Sequence, residues 1–199
     1  MSAAAAPSGG GDGTGVGFAH VGDEPVHDGH VISLVIGHYT APDGSTFTRE
    51  VVRHPGAVSV VPLHDDGTVT LVRQYRAALD RELLEIPAGK RDVADEPPEV
   101  TARRELVEEV GLDARHLEPL AEFVNSAGFS DEYSYVFLGT GLTEVDHDRQ
   151  GLEEQHMRIE RVALSDVPHL IAAHELVDAK TVIGLTLARE HVQRRPGRP

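Results

Sequence analysis

The sequence predicts an α/β (α+β) sandwich, and three observations carry that expectation. Two pairs of strand-like runs joined by short turn signals open the structured part of the chain. A segment begun by prolines and closed by a glycine reads as a helix near the middle, and further strands and then two helices complete the chain. With 199 residues, 40% hydrophobic and 26% charged, the composition is that of an ordinary globular protein with material for one sizeable domain and an appendage.

Taken in order, residues 1–17 are almost all Ala, Gly, Ser and Pro and read as a flexible tail. His30 to Tyr39 carries Val31, Ile32, Leu34, Val35 and Ile36, Pro42-Asp43-Gly44 signals a turn, and Thr46 to Arg53 is β-branched, so a hairpin is expected. A second hairpin is expected from Ala57 to Leu63 and Thr68 to Tyr75 across His64-Asp65-Asp66-Gly67, because Val69, Leu71, Arg73 and Tyr75 alternate. Glu82 to Ile86 is a short strand stopped by Pro87. Pro97 and Pro98 fit only the first turn of a helix and Gly111 fits just past the end of one. Strands follow at Leu120 to Val124, Ser134 to Gly139 and Met157 to Leu164, then helices near Ser165 to His174 and Ala179 to Gln193. The stretch 194–199 alternates Arg with Pro and Gly and reads as a second tail. These breaks divide the chain into 1–17, a β-rich extension at 18–54, a main domain at 55–193 and 194–199.

Charge and composition exclude several function classes. Lys and Arg number 18 against 33 Asp and Glu, a formal charge of −15, so a nucleic-acid polymer is not the expected partner. No run reaches the roughly 18 apolar residues of a membrane helix and no secretory leader is visible, so a cytoplasmic protein is expected. With no cysteine, only oxygen or imidazole ligands remain for a metal, which favours a hard ion.

The middle helix carries the chemistry. At about 100° per residue, Glu105, Glu108 and Glu109 fall on one side, while Val100, Leu106, Val107 and Val110 gather opposite and Arg103 is out of pattern. Acids at these spacings repel, so the pattern calls either for a divalent cation or for a solvated acidic face. The context decides for the cation. Gly89, a spacer, Glu96, seven residues and then Arg104-Glu105-Leu106-Val107-Glu108-Glu109-Val110-Gly111-Leu112 resemble the Nudix box, G, spacer, E, seven residues, R-E-U-x-E-E-x-G-U. The spacer holds six residues where the family usually has five, so either Asp95 takes the glutamate role or the loop carries one extra residue. The second is preferred, since Glu96 keeps its distance to Arg104.

The resemblance implies the Nudix α/β/α sandwich and a metal-dependent pyrophosphohydrolase using Mg²⁺ or Mn²⁺. It assigns Glu105 and Glu109 as metal ligands, Glu108 as a further ligand or a supporting acid, the Ala88 carbonyl as completing the site, and Arg104 as the arginine that holds the helix carboxylates. Within the family the chain resembles the ADP-ribose pyrophosphatase branch. That branch has a comparable extension that builds a homodimer, an Arg-Glu pair like Arg49-Glu50 at the adenine end, and a strand like Arg73-Gln74-Tyr75-Arg76 whose last arginine grips phosphate. Its loop over the substrate matches Gly128 to Glu132, although Ala127 stands where the branch has a proline. A loop acid supplies its general base, which assigns Glu154, with Glu153 beside it as the alternative. Each assignment has a plainer reading: a solvent loop for Glu153 and Glu154, a cross-strand partner for Arg49, a surface arginine for Arg76, and a strand cap rather than a ribose or metal contact for Glu85. Phe47 and Tyr39 stack on a base or pack internally. The expected substrate is ADP-ribose or a related nucleoside diphosphate sugar, with GDP-mannose, NADH or an oxidised nucleoside triphosphate as alternatives. A nucleotide sensor without catalysis is a rival class, set aside because the box acids are complete.

Overall fold

The computed structural model describes residues 17–146 and 156–194. They form two compact units, one made of the described residues up to His54 with Gly128–Asp131, the other of Pro55–Ala127 and the described residues from Glu132 onward. Apart from Gly17 and Arg194, the two expected tails lie outside the described residues.

The first unit is an antiparallel sheet of β1 (Ala19–Asp28), β2 (Ser33–Thr40) and β3 (Thr46–Arg53), in that order. The expected hairpin is present, with Ser33 opposite Arg53 and Thr40 opposite Thr46. The Asp43 carboxylate caps its turn by accepting the Ser45 N–H at 2.9 Å and the Ser45 hydroxyl at 2.6 Å. β1 has no counterpart in the sequence reading. It is exposed along nearly its whole length, so it carries no burial periodicity to read. Tyr39 and Phe47 stack on each other at 5.3 Å between ring centroids, which is packing within the sheet. The later segment Gly128–Asp131 is pinned to β3: the Val52 N–H donates to the Phe129 carbonyl at 2.7 Å, and Arg53 pairs with Asp131 at 3.0 Å.

The second unit holds β4 (Ala57–Pro62), β5 (Thr68–Arg76), β6 (Arg81–Glu85), β7 (Ala88–Lys90), α1 (Pro98–Val110), β8 (Leu112–Val124), β9 (Tyr133–Glu144), β10 (Arg158–Ala163), α2 (Val167–Ala172) and α3 (Ala179–Arg194). Its strands make two sheets, ordered β7-β4-β9-β8 and β10-β5-β6, with β4 parallel to β9 and the other pairs antiparallel. The expected second hairpin does not form as a strand pair. β4 and β5 share only the bridge Leu63–Val69 at the turn and then part into different sheets. The cause is burial: Val58 to Pro62 are all buried, so β4 is an interior strand with a neighbour on each side, not one arm of a half-exposed ribbon. The strand expected at Leu120 to Val124 is the end of a longer one whose first part mixes Asp113, Arg115, His116 and Glu118 with apolar residues.

Helix α1 forms as the sequence predicts, with proline at its first turn and Gly111 closing it at φ 64°, where the Gly111 N–H reaches the Val107 carbonyl at 3.0 Å. Ala102, Leu106 and Val110 pack with Val58, Val60, Val72, Leu112, Ala114, Phe137 and Met157. Val100, expected on the packed side, is instead half exposed in the first turn of the helix. A second cluster, including Val61, Leu71, Ile86, Val136, Leu138, Leu176 and Leu185, seats α3. At Gly184 a β-carbon would stand 3.1 Å from Ile86, Val136 and Val61, so the missing side chain lets α3 approach β4, β9 and the residue that follows Glu85.

Candidate active site

The acids of α1 are not a solvated face. Glu109 is buried, and Glu105 is more enclosed than Glu108, because this flank of the helix lies over the strip Ala88–Gly89. The Ala88 N–H donates to the Glu109 carboxylate at 2.9 Å. Gly89 stands so close to the Glu105 carboxylate that any β-carbon there would displace it. The glycine is needed for that approach, not for its backbone freedom.

One guanidinium serves four carboxylates. Arg104 reaches Glu105 at 2.7 Å, Glu108 at 3.3 Å, Glu96 at 3.4 Å and Asp92 at 3.6 Å. The Arg104–Glu96 pair favours Glu96 over Asp95 in the glutamate role. Asp95 takes up the extra spacer residue in the left-handed region at φ 61°. Burial, opposed by the charge of Arg104 but reinforced by Glu108, pushes the Glu105 carboxyl up to about 7. The cluster is short of positive charge.

A second group lies at the end of β6. Glu85 is fully buried and receives Arg76 through Nε at 2.7 Å and Nη2 at 2.5 Å. Lys180 Nζ also bonds Glu85, and it pairs with Asp178 at 2.9 Å. Burial alone would raise the Glu85 carboxyl, but the Arg76 hydrogen bonds and the charges of Lys180 and Arg76 outweigh it and hold the group below the usual range. Sequence reading singled out Arg76 and Glu85 separately. It missed that they pair, and it missed Lys180, in the first turn of a helix about a hundred residues away, and Asp178 just before that helix, which carry no motif.

The remaining expected residues are placed as follows. Arg49 is exposed on β3, its guanidinium 4.8 Å from the Phe47 ring centroid and its Nη1 on the Thr48 carbonyl, with no ion pair among the described residues. Glu50 is exposed beside it. Glu153 and Glu154 lie outside the described residues.

Among the described residues no three acidic or histidine side chains already converge as a metal-holding group. Glu105 and Glu108 are turned onto Arg104, and Glu109 accepts from Ala88. The donor set nevertheless fits a hard divalent cation. It offers only carboxylate and carbonyl oxygens, its negative charge outnumbers its positive charge, and Gly89 keeps the space beside Glu105 free of a side chain.

Residues 53–183 match the NUDIX domain family. An ADP-ribose pyrophosphatase of Bacillus subtilis (strain 168) is 38% identical over 165 residues, 83% of this chain and 89% of that protein. An ADP-ribose pyrophosphatase of Mycobacterium tuberculosis (strain ATCC 25618 / H37Rv) is 39% identical over 168 residues, 84% of this chain and 81% of that protein. Among solved structures, an ADP compounds hydrolase superposes with a TM-score of 0.77 at 21% identity, covering 89% of this chain and 95% of that one, a likeness of fold.

Proposed function

The chain belongs to the Nudix family, and on that premise we propose that it is a Mg²⁺- or Mn²⁺-dependent hydrolase that splits the pyrophosphate of ADP-ribose into AMP and ribose 5-phosphate. The observation that carries this reading is the charge deficit around Arg104 of α1, which four carboxylates, two on the helix and two before it, share beside Ala88 and Gly89. Nudix hydrolases generally require a divalent cation. Glu105, Glu108, Glu109 and the Ala88 carbonyl would hold it, and when bound it neutralises phosphoryl oxygens and lowers the pKa of the attacking water.

The chain's own groups do the rest. Glu154 accepts the proton of the water as its oxygen joins one phosphorus and the bridging P–O bond breaks, the bridging oxygen leaving with the other phosphate. Arg104 fixes the helix carboxylates. Arg76 spends Nε and Nη2 on Glu85, which leaves Nη1 to meet a phosphate. Arg49 and Glu50 bind the adenine end, lent by the extension to the site of a second copy in a homodimer. The protein works in the cytoplasm.

The test is product analysis of purified protein with ADP-ribose, GDP-mannose and NADH, each with Mg²⁺ and with Mn²⁺. AMP and ribose 5-phosphate from ADP-ribose, at the highest kcat/KM of the three, is expected. No cleavage of any of them overturns the reading, and preference for GDP-mannose or NADH moves the substrate while leaving the chemistry. A size measurement giving a monomer removes the shared adenine site.

A further inference from the structure

We infer that Lys180 is a positioning residue for this reaction: by sharing the buried Glu85 carboxylate with Arg76, it keeps one edge of the Arg76 guanidinium and its positive charge available to the pyrophosphate. The inference rests on the reading of Arg76 as a phosphate contact.

Glu85, Arg76, Lys180 and Asp178 make a closed quartet of two acids and two bases, with Lys180 bonded to both acids. Glu85 holds Arg76 side-on through Nε and Nη2, and with no other counter-charge it would cancel the guanidinium charge one for one. With Lys180 present, Glu85 is neutralised from a second side. Arg76 is half-buried where Glu85 is fully buried, and it bonds Glu85 through Nε and Nη2, not through Nη1. Without Lys180 the same place would hold two carboxylates against one guanidinium, and an anionic substrate would approach net negative charge.

The residues around Lys180 extend this role to the backbone. The Thr181 hydroxyl accepts the Ile86 N–H at 3.0 Å and donates to Asp178 at 2.6 Å, and the Asp178 carboxylate also accepts the Thr181 N–H at 3.0 Å. One residue after Ile86, the Pro87 carbonyl accepts the Val60 N–H at 3.0 Å, and then Ala88 donates to Glu109. Glu85 to Ala88 is therefore gripped in turn by α3, β4 and α1. The first turn of α3 sets the position of the strip that carries both the arginine partner and the Ala88 carbonyl.

The test compares Lys180→Gln and Lys180→Arg with the parent protein in steady-state cleavage of ADP-ribose, alongside thermal unfolding. Lys180→Gln is expected to raise KM about ten-fold or more with a smaller change in kcat. Lys180→Arg, which keeps the charge, is expected to recover most of that loss. A residue that serves only stability would lower the melting temperature and leave KM alone. Unchanged KM in Lys180→Gln, equal damage from both variants, or a Lys180→Gln chain that does not fold would each overturn the proposal. If the parent protein cleaves no ADP-ribose, the proposed function fails first, and the two failures are distinct.

Discussion

Two enclosed acid clusters sit a few residues apart along the same strip of chain, and they are built on opposite principles. Around Glu85 every charge has a counterpart, and the carboxyl is held below its usual range although nothing of it reaches solvent. Around Glu105 one arginine stands for four acids, and the carboxyl rises to about 7 although it is less deeply buried. Burial raises both carboxyls, and the supply of positive charge decides whether that rise is overcome, as it is at Glu85 and is not at Glu105. A fold able to balance Glu85 so completely could have balanced Glu105. Leaving the α1 cluster short of charge is what a site for a cation requires.

The sharpest way to break this contrast is to neutralise one acid in each cluster. Glu109→Gln and Glu105→Gln are each expected to lower kcat by about 10²-fold or more, with loss of Mn²⁺ binding followed by electron paramagnetic resonance. Glu105→Gln should leave the metal-free fold as stable as before or more so, since it removes a repelled charge. Unchanged turnover in Glu109→Gln would remove the metal assignment. Glu85→Ala should behave in the opposite sense: Arg76 and Lys180 lose their shared partner, and urea unfolding should report a loss of about 3 kcal/mol. Equal stability changes in the two clusters would mean that the contrast is not real.

The same contrast has a pH signature. The folded value of Glu105 lies above its ordinary 4.5. Between about pH 5 and 7 the folded protein therefore keeps a proton that the unfolded chain has released, and stability contributed by this group falls as pH rises through that window. Glu85 runs the other way, contributing stability that is present above its ordinary value and is lost as pH falls below it. Urea unfolding in a chelator at pH 5.5 and 7.5 should show the Glu105 part as a slope that Glu105→Gln reduces. Mn²⁺ affinity should rise over the same interval, because the ligand must be ionised to bind. A slope unaltered by Glu105→Gln would place the deficit elsewhere.

The parts of this arrangement that the sequence displays are local. Pro97, Pro98 and Gly111 mark both ends of α1, and the box from Glu96 to Leu112 marks its chemistry, because caps and ligand spacings are written within one helix. What the sequence does not display depends on distant packing. The parting of β4 from β5 at Leu63–Val69 reflects burial on both sides of β4, which turn residues do not encode. The enclosure of Glu109 reflects the strip Ala88–Gly89 lying over it, so a helical wheel that takes only one side as packed misplaces both Glu109 and Val100. Lys180 joins Glu85 across most of the domain with no pattern to announce it.

The smallest expected effect concerns how the extra spacer residue leaves the α1 cluster intact. Asp95 adopts φ 61°, a conformation that suits glycine better than any residue with a β-carbon, and the next residue, Glu96, still reaches Arg104. Asp95→Gly relieves that backbone cost but gives the unfolded chain more freedom, so the net gain is at most about 1 kcal/mol and turnover stays at the parent level. Glu96→Gln weakens one of the contacts that hold Arg104, and kcat should fall by about ten-fold with the fold intact. If Asp95→Gly were the damaging substitution and Glu96→Gln the silent one, the glutamate role would belong to Asp95. The box would then be in register from the glycine side, and the extra residue would lie between Asp95 and Arg104.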